Sequence, residues 1–202
     1  MKIPVRLFGW FILSLILLLI AAALAPLENS LGANIRLVYL HGAWVWAGLV
    51  SFAVAGLAGL VGLLFRSLRW NRWSSAFGLT ALIFWLTYLP MSLLVMQINW
   101  GGLYFDEPRW RIPFTFAVTG VLLQAGLWLL QKPIVTSLAN MLFGITLFLS
   151  LSGADNVLHP NSPVFNSPST GIQIYFIGLV ALAFLTAGLL AYVINRTDRI
   201  TA

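Results

Sequence analysis

The stretch "VYLHGAWVWAGLVSFAVAGLAGLVGLLF", Val38 to Phe65, decides the fold. It carries one histidine and no acidic, lysine or arginine side chain. A helix needs ~20 apolar residues to cross a hydrocarbon core, and this run exceeds that, so it tilts or projects beyond the membrane. Gly48, Gly56, Gly59 and Gly62, with Ala55 and Ala58, recur at small-xxx-small spacing, the pattern of a close packing surface between membrane helices.

Five further apolar runs flank it, at about Leu7–Ala25, Ala76–Gln97, Ile112–Leu130, Ile134–Leu151 and Ile172–Ile194. The 202 residues are 60% hydrophobic and only 8% charged, and the mean hydropathy is +0.95. Soluble domains carry about 25% charged residues, so this surface needs a bilayer as solvent. The whole chain, residues 1–202, reads as one all-α, six-helix transmembrane domain without a repeat or a separate soluble unit. The first run exceeds the ~7–15 residues of a signal-peptide core, which predicts a retained helix.

Charge predicts the orientation. Six spans put both termini on one side, with Lys2, Arg6, Arg66, Arg69, Arg72, Lys132, Arg196 and Arg199 against Asp198, a net +7. The other side holds Arg36, Arg109 and Arg111 against Glu28, Asp106, Glu107 and Asp155, a net −1. The positive-inside rule places the termini in the cytoplasm of a multi-pass protein of the cell membrane. Anionic lipid accounts for the overall charge of +6, and no nucleic-acid partner is expected.

The outer connections, about 26–40, 98–111 and 152–171, are the richer ones, and function is expected there. They contain or border both histidines, His41 and His159, and the segment "INWGGLYFDEPRWRIP", Ile98–Pro113. Its aromatic residues are those of an interfacial belt, and Asp106 and Glu107 beside Arg109 and Arg111 could form an ion-pair lid. Pro90 predicts a kink in the third helix, Met91 and Met96 read as packing residues, and Gln124 and Asn140 could bond between helices. With no cysteine, thiolate metal sites and covalent haem attachment are excluded. No charged group falls near the middle of a span, contrary to what ion-coupled transport needs. No phosphate loop, zinc-protease motif or nucleophile elbow is present, so no enzymatic activity is expected. Two imidazoles on one face, amid aromatic surface, suit axial ligation of haem, while histidines satisfied by water and headgroups would look the same in sequence.

"RLVYLHGAWVWAG", Arg36–Gly48, resembles the "RIMYVHVPAAWM"-type segment of the CcmC-like cytochrome c assembly proteins, which are haem-handling membrane proteins. "MSLLVMQINWGGLYFDEPRWRIPF", Met91–Phe114, resembles the approach to that family's tryptophan-rich outer loop, W-G-x-W-W-x-W-D-x-R. The resemblance implies haem b held non-covalently at the outer face, with His41 and His159 as axial ligands. Trp100, Gly101, Tyr104, Asp106 and Arg109 would be its loop residues. It also implies handover to a haem chaperone or apocytochrome c, beside other membrane subunits. Leu103 and Tyr104 stand where the family has two tryptophans, and Glu107 is an added residue. The alternative is a non-catalytic subunit of a larger membrane complex that keeps the fold without haem.

Overall fold

The computed structural model describes residues 5–29, 31–158 and 164–201, with side chains up to residue 197. His159 lies outside the described residues. Six helices make up the described fold: α1 (Val5–Ala23), α2 (Ile35–Leu64), α3 (Leu68–Trp100), α4 (Pro108–Leu130), α5 (Pro133–Ser152) and α6 (Thr170–Thr201). All six are long and apolar enough to cross a membrane, as expected for a multi-pass membrane protein. At 1.5 Å per residue, the 30-residue α2 is about 45 Å long, well beyond a ~30 Å hydrocarbon core.

The helices outrun their apolar runs. The third starts at Leu68, so most of "RSLRWNRWSS", Arg66–Ser75, is helix and not connection. The polar residues that disguise this turn point inward: Ser137 Oγ donates to Asn71 Oδ1 (2.9 Å), and Asn140 Nδ2 donates to the Ser74 carbonyl (3.0 Å). Gln124 Nε2 donates to Asn140 Oδ1 (2.9 Å), so both polar residues bond between helices, as expected, and do so partly with each other. Pro108 and Pro133 open α4 and α5 at first-turn positions, where a missing N–H and a fixed φ are tolerated. Gly101, at φ +72, ends α3 in the left-handed region. The helix runs on through Pro90.

These extensions shrink the connections at about 26–40, 98–111 and 152–171. Ile35 already begins α2, only residues 101–107 separate α3 from α4, and residues 153–169 separate α5 from α6.

The second helix is the hub. It packs on α3 and α5 through its small-residue stripe and on α1 and α6 through its other face. Ala55, Ala58, Gly59 and Gly62 are buried there, as their spacing predicts. A Cβ on Gly59 would lie 2.7 Å from the Ser137 carbonyl oxygen of α5, so only glycine permits this approach. One apolar cluster joins α1, α2 and α6 around Leu18, Tyr39, Ala43, Phe176 and Ala183. A second joins α2 to α5 around Phe52, Trp85, Tyr88, Ala117 and Phe143. Trp128, Leu129 and Leu122 of α4 and Leu57 of α2 are exposed, as lipid-facing side chains are.

Candidate functional site

Where α2 and α3 approach the 101–107 and 153–169 loops, they part around a cavity of about 320 Å³. Helical periodicity builds its walls. Val38, His41, Val45 and Leu49 form one stripe of α2, and Trp85, Tyr88, Ser92 and Met96 form the facing stripe of α3. The cavity floor includes Phe176 of α6, and Trp100, Glu107, Arg109 and Val164 come from the loop side. The volume lies within the ~300–1,000 Å³ typical of small-molecule sites.

His41 lies on this wall, partly buried, with its ring 5.2 Å from the ring of Tyr88. One proline explains where Tyr88 points. Pro113 lacks the N–H that would bond the Arg109 carbonyl four residues back. The Tyr88 hydroxyl supplies the missing donor at 3.1 Å. Trp85 makes the matching contact, its Nε1 donating to the Pro113 carbonyl at 3.0 Å. Two α3 side chains thus hold the first turns of α4, and with them Arg109, against the cavity.

Glycines set the fit around the histidine. A Cβ on Gly48 would meet the Trp85 ring at 3.3 Å, and one on Gly42 would meet the Phe176 ring at 3.0 Å. Trp85 and Phe84 of α3 fill the room at Gly48.

The expected loop residues divide into two groups. Trp100 and Arg109 line the cavity. Gly101 serves as the left-handed end of α3. Tyr104 is 43% exposed and meets Trp100 ring to ring at 5.9 Å, outside the cavity lining. Asp106 is exposed, away from the cavity lining. Of the two histidines, the described residues place only His41. The chain on either side of the other is at the same place: Leu158 is bonded to Glu107, and Val164 lines the cavity. Gln173 Nε2 donates to the carbonyls of Phe165 (2.9 Å) and Ser167 (2.8 Å), folding residues 164–168 onto α6.

Glu107 is the residue that sequence reasoning undervalued. It is only 3% exposed, and its Oε2 accepts the Leu158 N–H at 3.0 Å. Its carboxylate ties the 101–107 loop to the 153–169 loop. Its Oε1 is buried and accepts no hydrogen bond from the described residues. The available signal was Pro108: a proline at the first helical position makes Glu107 the N-cap. Carboxylates are favoured at that end of a helix by its dipole. Trp46, Trp85, Tyr88 and Phe165 were also missed as wall residues, and Met96, read as packing, lines the cavity too.

Among the described residues, no three His, Cys, Asp or Glu side chains gather as a metal cluster. Compared with known proteins, the chain matches no family model and no curated sequence.

Proposed function

We propose that this chain is a haem-handling membrane protein of the CcmC-like type, which holds haem b for transfer and makes or breaks no bond in it. One observation carries the reading: His41 stands on the wall of an aromatic cavity that Trp100 and Arg109 border from the loop side. The residues suit the cargo. An imidazole offers an axial nitrogen, Trp85, Trp100 and Phe176 offer flat apolar surface, and Arg109 offers a guanidinium for a carboxylate. His159 is the proposed second ligand. The neighbouring subunits, the haem chaperone or the apocytochrome c would be met at the two loops. The chain's own part is to position, to exclude water and to release.

The reading includes an orientation, with both termini in the cytoplasm and the cavity toward the outer face of the cell membrane. The net +7 and −1 of the two sides support it. The absence of cysteine makes it easy to test. A membrane-impermeant maleimide should label Asp155→Cys in intact cells and Lys132→Cys only after permeabilisation; the reverse pattern would invert the topology.

The decisive experiment is an absorption spectrum of the purified protein, oxidised and reduced, after haem is supplied. A b-type spectrum is expected, weakened in both His41→Ala and His159→Ala. Loss in only one variant would remove the other histidine as ligand. No haem in the native protein would overturn the reading and leave a subunit that keeps this fold as scaffold.

A further inference from the structure

The start of α3 and the end of α6 meet at an aromatic stack. The rings of Trp73 and Tyr192 lie 5.9 Å apart and 24° from parallel, and Phe77, one turn further along α3, meets Trp73 at 5.8 Å. Arginines flank the stack on both helices. Arg69 precedes Trp73 by four residues and Arg196 follows Tyr192 by four, so each shares a helical face with its ring. Because α3 begins here and α6 ends here, both arginines lie one turn beyond the stack, toward the same end of the bundle.

Arg196 is held in place. Its Nη2 and Nε donate to the Tyr192 hydroxyl at 2.7 and 3.2 Å, and its guanidinium carbon lies 5.1 Å from the ring centroid. A guanidinium has five N–H donors, so this anchor leaves most of the fork for another acceptor. Arg69 and Arg196 are both exposed. Ser67, the N-cap of α3, makes no side-chain bond to the first turn, so the positive end of that helix adds to the field at Arg69. An aligned guanidinium suits phosphate better than an ammonium does, because its fork is planar and less freedom is lost per bond.

The surroundings favour a lipid over a soluble phosphate. Leu64, Phe65, Leu68 and Trp70, close to Arg69 in the chain, are large apolar side chains left exposed. Bare apolar residues next to guanidinium groups suit the boundary between hydrocarbon and headgroups, not bulk water. Basic pockets between spanning helices favour acidic headgroups at that boundary. We propose that the seam between α3 and α6 binds an anionic phospholipid, with Arg69 and Arg196 on its phosphate and the Trp73–Tyr192 stack against its glycerol and upper acyl chain. A zwitterionic headgroup brings its own ammonium toward the two arginines and is disfavoured. The inference goes beyond haem handling and stands without it and without the assigned orientation.

The test uses the delipidated full-length protein in neutral maltoside micelles. Phosphatidylglycerol, phosphatidylcholine and glycerol phosphate are titrated, and Tm is followed. Phosphatidylglycerol should raise Tm saturably, and the other two should not. Arg69→Gln and Arg196→Gln change exposed side chains, so both variants should fold, and each should weaken the apparent affinity for phosphatidylglycerol by about tenfold. Tyr192→Phe keeps every charge but releases Arg196, and should weaken it by about threefold. Lys132→Gln removes the same charge from the α4–α5 connection and should leave the affinity within about twofold of native. Equal losses in Arg196→Gln and Lys132→Gln would reduce the effect to net charge and overturn the site. A response to phosphatidylcholine equal to that for phosphatidylglycerol would also overturn it. A response to glycerol phosphate that matches phosphatidylglycerol would overturn the lipid as ligand. No response to either lipid would overturn the proposal and leave the two arginines to an acidic protein segment.

Discussion

Trp85→Ala is expected to destabilise the bundle by about 3–5 kcal/mol, the usual range for emptying a buried aromatic site. Trp85 is 1% exposed and lies between α2, α3 and α4. Its ring meets Phe52 edge-on at 5.7 Å and Tyr88 at 5.2 Å. Its indole N–H bonds the Pro113 carbonyl, and Gly48 leaves the space into which its ring fits. Alanine would remove all three connections and merge a void with the adjacent cavity. Trp85→Phe keeps much of the ring and loses chiefly the hydrogen bond, about 0.5–1.5 kcal/mol. Unfolding in mixed micelles against increasing dodecyl sulfate reads both. If Trp85→Ala stayed within ~0.5 kcal/mol of the native protein, the usual scale of a surface change, the packed seam described for α2 and α3 would be wrong.

That seam explains what could be read in the sequence. Charge depletion and run length reveal six spanning helices, because a bilayer admits few alternatives for so apolar a chain. The glycine and alanine spacing of α2 likewise announces a close-packed face. Helix ends were less legible. Leu68–Ser75 contains Arg69, Arg72, Asn71 and two serines and looks like a connection, yet Asn71 and Ser74 face buried partners across 66 residues of sequence. Hydropathy sees the polar atoms but not the partners that satisfy them.

The candidate site was partly legible for a related reason. His41 stands out as one of two histidines and Trp100 through the aromatic and charged segment it belongs to, and both prove to be wall residues. Tyr88 does not stand out, because its role depends on Pro113, 25 positions away, leaving the Arg109 carbonyl without a donor. Asp106 and Glu107 are adjacent carboxylates with opposite fates, one exposed and one buried. Pro108 marks Glu107 as the N-cap, whereas the motif resemblance pointed to Asp106; Glu107 is the one that lines the cavity.

Those two acids supply a matched experiment. Glu107→Ala should remove the bond that joins the two loops beside the cavity, a charge-assisted contact of about 1.5–3 kcal/mol. Through local opening, backbone amides of residues 154–158 should then exchange with solvent roughly ten- to hundredfold faster. Glu107→Gln keeps an acceptor without the charge and should fall between the two. Asp106→Ala, one residue away and exposed, should leave the same amides within about twofold of the native rate, as most surface changes do. The amides of Trp110 and Arg111, which bond the Glu107 carbonyl at 2.9 and 2.8 Å, report whether α4 itself has frayed. Fast exchange at 154–158 with those two unchanged isolates the contact between loops from helix capping. Equal exchange in the two alanine variants would sink the assignment. The side-chain bond to Leu158 would then contribute nothing to holding the residues that precede His159 at the cavity.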